Sequence, residues 1–130
     1  MAALILDASV LIGLLDTADA HHERSIDAIE VADRAGRQLL VPASAYSEAL
    51  VAFARARRIG DAREAIAAIG ITVTPLTETI AEHSAELRAR HERLRLPDAI
   101  VLATAHEMGG ELLSYDHRLA QLAGKHRSRD

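Results

Sequence analysis

Four carboxylates in this sequence have types and positions that could support metal-dependent chemistry. They are Asp7, Glu48, Asp98 and Asp116. Several carboxylates brought together would repel one another, and each would be costly in apolar surroundings, unless a cation compensates them. Mg²⁺ and Mn²⁺ favour such all-oxygen sites. A bound cation can activate a water, and two cations about 3.5–4 Å apart can stabilise the attacking and leaving oxygens in phosphodiester hydrolysis.

The residues around two of these acids predict burial. Asp98 opens the helix-like segment PDAIVLATA, and its neighbours at i+3 and i+4 are Val101 and Leu102. Glu48, in SEALVAF, also has apolar neighbours at both spacings. Because residues at these spacings share one side of a helix, we expect both carboxylates to lie on apolar faces.

Each acid also has an ordinary structural interpretation, which the local sequence leaves open. Asp7 and Asp116 could cap the helices that follow them, and Asp98 could be a first-turn acid that favours the helix dipole. Glu48 could pair with a buried arginine or lie half exposed. A metal-holding cluster is favoured only by the four acids taken together.

The elements that must position these acids alternate between short apolar runs and helix-like segments. We expect strands at ALIL, QLLV, ITVT and ELLS, with helices between and after them. This alternation predicts a single α/β domain over residues 1–130, with a parallel sheet of four strands, or five, and helices on both faces. If the strand order is 3-2-1-4, Asp7 and Asp116 flank the point where the order reverses, which is where open α/β sheets bind ligands.

The composition limits the classes of function. The 130 residues include no cysteine, which excludes disulfides and thiolate chemistry and suits a cytoplasmic protein. A net charge of −4 is not typical of a nucleic-acid binder, but the positive charge is clustered in RARR, RARHERLR and KHRSR. We expect the basic tail from about residue 124 to be flexible. The first residues resemble neither a secretory signal nor a membrane span.

Other catalytic motifs are incomplete. HERLR and HEMGG begin like the zinc metalloprotease motif, but Arg95 and Gly110 stand where its second histidine belongs. No phosphate-binding glycine loop follows the first apolar run. A receiver domain or a dehalogenase-type phosphatase could also place Asp7 after its first strand, but the further acid or lysine signatures of both are missing.

The order of four segments carries a family resemblance. An apolar run leading into LDASVLIGLL, then SEAL, LPDAIVLATAHEMG and LLSYDHRL, resembles the PIN-domain ribonucleases over nearly the whole chain. Within that family the sequence is most similar to the small VapC-type toxins of bacterial toxin–antitoxin pairs. The resemblance assigns to the family's acidic quartet the residues Asp7, Glu48, Asp98 and Asp116. Ser9 matches a small hydroxyl residue, and Ser114 stands where the family commonly has threonine; helix capping explains Ser9 equally well, and we interpret Ser114 as structural.

The resemblance implies a metal-dependent endoribonuclease that uses Mg²⁺ or Mn²⁺. Asp7, Asp98 and Asp116 would be the main metal ligands, with Glu48 a further ligand or an orienter of the attacking water. The partners implied are an RNA substrate, a second copy in a homodimer and a cognate VapB-type antitoxin, with no membrane. The arginines expected along the RNA path are Arg88, Arg90 and Arg95.

Two departures from the family pattern bear on these expectations. The family often has an aromatic residue three places after the final acid, where this chain has Leu119. Many members end in another strand, whereas this chain ends in GKHRSRD. Two other hypotheses stay open, which are a non-catalytic PIN-like binding module and a small-molecule phosphatase on a similar sheet.

Overall fold

The computed structural model describes the backbone of residues 1–129 and the side chains of residues 1–124. Strands and helices alternate in the expected manner. In chain order the elements are β1 (Leu4–Leu6), α1 (Ala8–Leu15), α2 (His22–Arg34), β2 (Leu39–Pro42), α3 (Ala43–Arg55), α4 (Ile59–Ile69), β3 (Ile71–Thr74), α5 (Glu78–Arg90), α6 (Leu96–Glu107), β4 (Glu111–Leu113) and α7 (His117–Arg129).

The strands form one parallel sheet in the order β3-β2-β1-β4. Residue Leu4 of β1 lies beside Leu39 on one side and Glu111 on the other. The predicted α/β class, parallel sheet and strand order are therefore confirmed, with four strands within residues 1–129. Because β1 lies between β2 and β4, the chain reverses its direction of strand addition next to β1, and the carboxyl ends of β1 and β4 meet at that point.

Helices cover both faces of the sheet, as predicted. Alternate residues of a strand point to opposite faces. Leu4 and Leu6 of β1 pack into a core shared with α1, α2, α3 and α4. Ile5, between them, packs with Ala105 of α6 on the other face. A second apolar cluster joins α5, α6 and α7 on that face, so nearly every residue of the central strands is buried.

The helices next to the sheet reversal start at well-defined residues. The side chain of Asp7 caps α1, and Thr77 caps α5 by accepting a hydrogen bond from the Ile80 N–H at 3.2 Å. Pro97 lies in the first turn of α6, where the fixed φ of proline suits a helix start. The segment between α5 and α6 therefore brings Asp98 to the start of α6.

The end of the chain continues a helix. The backbone of α7 runs to Arg129. The side chains of the basic tail and all of Asp130 lie outside the described residues, so the flexibility of this tail stays a prediction. No helix in the described part of the chain is long and apolar enough to cross a membrane.

Gly110 packs too tightly against β1 to accept a larger residue. A Cβ atom there would lie 2.8 Å from Cγ1 of Ile5 and 3.0 Å from the carbonyl oxygen of Ala3. Because Ile5 is fully buried, it has no space to move into. We expect Gly110→Ala to lower the free energy of unfolding by about 1–3 kcal/mol, measured by urea denaturation.

A matched glycine provides the control for this prediction. Gly60, near the start of α4, has no neighbour within 4 Å of an added Cβ. Gly60→Ala should be neutral or should stabilise the protein by up to about 1 kcal/mol. Equal losses in the two variants would contradict the packing argument.

Candidate metal centre

All four predicted acids line one cavity at the carboxyl ends of β1 and β4. The cavity has a volume of about 150 Å³. Ser9 and Arg95 also contribute to its wall. Its carboxylates are Asp7, Glu48, Asp98 and Asp116. Residues from the first and last parts of the chain therefore come together here, although their burial differs widely.

Asp7 is the buried acid of the group, with only 6% of its surface exposed. Its Oδ1 accepts hydrogen bonds from Ser9 Oγ at 2.6 Å and from the Val10 N–H at 3.1 Å. Its Oδ2 accepts a hydrogen bond from Ser114 Oγ. Asp7 thus caps α1, as its structural interpretation proposed, and still faces the cavity.

The two serines connect Asp7 to the segment that follows β4. The Tyr115 N–H donates to Ser9 Oγ at 3.3 Å, and the Asp116 N–H donates to Ser114 Oγ at 3.0 Å. Each hydroxyl therefore contacts both the Asp7 carboxylate and the backbone of residues 115–116. Ser9 and Ser114 fix the position of one acid relative to another.

Asp98 lies in an electrostatically unfavourable position. Burial raises the pKa of Asp98 above its usual 3.8, the Arg95 guanidinium lowers it, and the charges of Asp116 and Asp7 raise it further. Its carboxylate forms no hydrogen bond with the residues that the structure describes. The apolar neighbours that predicted its burial are themselves buried, since Val101 and Leu102 are 3% and 4% exposed.

Asp116 is exposed and caps the start of α7. Its Oδ1 accepts hydrogen bonds from the Arg118 N–H at 2.9 Å and from the Leu119 N–H at 3.3 Å. The capping interpretation of this acid was therefore also right. Both bonds go to one oxygen, so among the described residues the cap uses Oδ1 alone.

The prediction that Glu48 lies on a buried apolar face was wrong. Its side chain is 39% exposed, and its neighbours Val51 and Ala52 are exposed as well. The helix instead buries the stripe through Ala45 and Ala49. Polar residues at i−4 and i+7 also share the side of α3 on which Glu48 lies, so its apolar neighbours alone do not show which side faces the core. Glu48 forms an ion pair with the exposed Arg95 at 3.5 Å.

The donor set fits a hard divalent cation. Carboxylate and hydroxyl oxygens surround the cavity, and Mg²⁺ and Mn²⁺ prefer oxygen ligands. Within the described side chains, no three histidines, aspartates or glutamates are already gathered closely enough to enclose an ion. Mutual repulsion of the kind that raises the pKa of Asp98 opposes closer approach, and a divalent cation would relieve that repulsion.

Sequence reasoning missed a cluster around Tyr115, which stands between Ser114 and Asp116. The tyrosine ring stacks on His21 with centroids 4.2 Å apart, and the Arg24 guanidinium lies 4.8 Å from its centre. Its hydroxyl forms a hydrogen bond of 2.7 Å with Ser25 Oγ. These partners are about 90 residues away in the chain, so no local pattern could have identified them. The cluster ties the segment carrying Asp116 to α2.

Tyr115→Phe should destabilise the protein. Ser25 is fully buried, and Tyr115 is its hydrogen-bond partner among the described residues, so the variant leaves a buried hydroxyl unsatisfied. We expect a loss of about 1–3 kcal/mol in the free energy of unfolding, measured by urea denaturation. Ser25→Ala should cost less, because Tyr115 is a partly exposed residue and its hydroxyl is better placed than that of the buried Ser25 to bond to water. A larger loss for Ser25→Ala would contradict this asymmetry.

Asp98→Asn should stabilise the protein at pH 7 in the presence of EDTA. The pKa of Asp98 is raised above 3.8 in the fold, so its ionised form is disfavoured there relative to the unfolded chain. The stability of the original protein therefore falls as the pH rises from 3.8 through the raised pKa.

The gain from Asp98→Asn should be complete above the raised pKa and disappear below 3.8. Urea denaturation across this pH range measures it. Asp33→Asn, on the exposed face of α2, is the control and should show no such gain. A gain in Asp98→Asn that does not change with pH would count against the argument.

Three comparisons relate the chain to known proteins. The sequence matches the PIN domain over residues 4–125. No curated protein matches it. Its fold is similar to that of a toxin–antitoxin complex from Klebsiella pneumoniae, with a TM-score of 0.73 and 25% identity over 88% of this chain and 87% of the other.

Two further structures share the fold at lower identity. One is VapC20 of Mycobacterium tuberculosis, a toxin that cleaves the sarcin–ricin loop, with a TM-score of 0.71, 18% identity, and coverage of 92% of this chain and 95% of the other. The other is VapBC2 of Rickettsia felis bound to a DNA fragment from its promoter, with a TM-score of 0.73, 8% identity, and coverage of 92% of each chain. With residues 4–125 matched and the strand order of β3-β2-β1-β4, this chain belongs to the PIN domain family.

Proposed function

We propose that this protein is a metal-dependent endoribonuclease that acts as the toxin of a toxin–antitoxin pair. The observation that carries the proposal is the single cavity lined by Asp7, Glu48, Asp98 and Asp116 in a PIN domain. The similar structures are toxins and toxin–antitoxin complexes, which supports a nuclease that hydrolyses RNA.

Asp7, Asp98 and Asp116 would hold the cation, Mg²⁺ or Mn²⁺, with Glu48 as a further ligand or as the residue that orients the attacking water. When bound, the cation supplies positive charge for the phosphodiester and lowers the pKa of a water. The chain supplies the rigid geometry. Asp7 is fixed by hydrogen bonds to both of its oxygens, so its position changes little on binding.

Glu48 is suited to the more mobile of these roles. Its side chain is 39% exposed, and it holds its arginine partner only at 3.5 Å. A carboxylate with this freedom can turn between a cation and a water. Ser9 and Ser114 act through Asp7 and are positioning residues in this proposal.

The partner that we propose is a protein antitoxin. Two of the similar structures are complexes of this kind, and one of them is bound to DNA. An antitoxin that covers the acidic cavity would block access of RNA. The homodimer implied by the family resemblance stays a prediction.

Asp7→Asn and Asp98→Asn should abolish metal-dependent RNA cleavage. Each change removes a negative charge from the cavity, while asparagine at position 7 can still cap α1. We expect a rate loss of at least about 100-fold. The measurement is cleavage of total cellular RNA with Mn²⁺ or with EDTA, followed by mapping of the cut sites.

Asp33→Asn is the matched control and should cleave at the original rate. Cleavage by both cavity variants at the rate of this control would rule out the mechanism. The absence of any cleavage in the original protein, with the RNA still bound, would favour a non-catalytic binding module. Turnover of a generic phosphomonoester in place of RNA would favour a small-molecule phosphatase.

A further inference from the structure

A second, larger cavity opens beside the acidic one. It has a volume of about 630 Å³, within the range of about 300–1,000 Å³ typical of ligand pockets. It lies between residues 89–95, which comprise the end of α5 and the connection to α6, and the first turns of α7. Asp98, Asp116 and Arg95 line both cavities, so the larger cavity, here called the arginine groove, leads directly to the acids.

Positive charge is concentrated along this groove. Four arginines line it, namely Arg90, Arg93, Arg95 and Arg118. All four are exposed. Among the described residues, only Arg95 of these four forms an ion pair. Of the arginines expected along the RNA path, Arg90 and Arg95 are present here and Arg88 is not.

Uncompensated guanidinium groups in a groove are suited to phosphate. Arginine donates paired N–H groups in a planar fork that matches two phosphate oxygens. Arg90, Arg93 and Arg118, which form no ion pair with the described residues, lie on the two segments that line the groove and can contact successive phosphates of one strand. The groove ends at the acidic cavity of about 150 Å³, so a strand that lies in the groove would reach the acids at one of its phosphates.

We propose that the arginine groove binds the backbone phosphates of a single RNA strand and delivers that strand to the acidic cavity. Arg93 and Arg118 hold phosphates on the two sides of the groove. The inference rests on the proposed function for its substrate class, but it concerns RNA binding and does not require cleavage.

Arg95 lies where the two cavities meet, and its side chain has two alternative partners, Glu48 and a phosphate of the RNA. Its guanidinium lies 3.5 Å from Glu48 and is 67% exposed, which describes a loose pair. Its backbone is fixed at the start of α6, so only the side chain is free to turn. When Glu48 turns to a cation, Arg95 can contact the phosphate nearest the acids. Arg95 therefore competes with the cation for Glu48 and attracts the RNA.

RNA binding in EDTA tests the groove separately from catalysis. The probe is a fluorescein-labelled single-stranded 15-nucleotide RNA, and the readout is anisotropy at several salt concentrations with the full chain. Arg93→Gln and Arg118→Gln should each weaken binding several-fold. Each should also reduce the slope of log K against log[salt] by about 0.7, the value expected for one lost phosphate contact on a single strand.

Arg63→Gln is the control for charge alone. Arg63 is exposed on α4, lies in neither cavity, and should leave both the affinity and the slope unchanged. Equal effects of the three variants on RNA affinity would contradict binding through the arginine groove. Binding of a polyglutamate peptide as tight as that of RNA would overturn the assignment to nucleic acid.

Arg95→Gln should change two affinities in opposite directions. RNA binding in EDTA should weaken, while Mn²⁺ binding measured by calorimetry should tighten, because the competing guanidinium is gone. Weaker Mn²⁺ binding would contradict the role of Arg95. If RNA binds through the arginine groove but the original protein with Mn²⁺ cleaves no RNA, the proposed nuclease function is wrong and the proposed RNA binding by the groove is supported.

Discussion

The structure of the site depends on keeping one charged carboxylate buried at the end of the central strand. Asp7 follows β1, which has a neighbouring strand on each side, and is 6% exposed. A buried ionised group is tolerated only when its oxygens are hydrogen-bonded. The chain meets this requirement with two hydroxyls and one backbone N–H. Since Ser114 lies just beyond β4, satisfying Asp7 also requires the ends of β1 and β4 to remain side by side.

The same hydrogen bonds set the distances among the other acids. Ser9 and Ser114 accept hydrogen bonds from the backbone of Tyr115 and Asp116, so the start of α7 moves with Asp7. Asp98 approaches from α6 and forms no hydrogen bond with the described residues. Burial, and after it the charges of Asp116 and Asp7, raises the pKa of Asp98, whereas the Arg95 guanidinium, just before α6, lowers it. In the proposed metal centre, a divalent cation would relieve the repulsion that raises the pKa of Asp98.

Sequence reasoning predicted the fold well because the patterns that determine it are local. Short apolar runs followed by helix signals gave the α/β class, whereas the strand order 3-2-1-4 was an assumption that the structure confirms. The partial burial of Asp98 was also a local feature, since α6 is apolar on the side that Asp98 shares. Glu48 was misjudged because the apolar residues that follow it in α3 do not by themselves show which stripe is buried, and tertiary packing selects the stripe through Ala45 and Ala49. The contacts of Tyr115 were out of reach, because its partners lie far away in the chain.

The capping and catalytic interpretations of these acids do not exclude each other. Asp7 and Asp116 both cap helices, and both line the same cavity. A helix cap uses only some of the lone pairs of a carboxylate, and it fixes the side chain against a rigid backbone. A metal ligand requires such fixation, because a mobile carboxylate would lose conformational entropy on binding. At the end of a parallel sheet, where helices start beside one another, the residues that cap them are therefore brought to one cavity, which is the arrangement that the proposed metal centre requires.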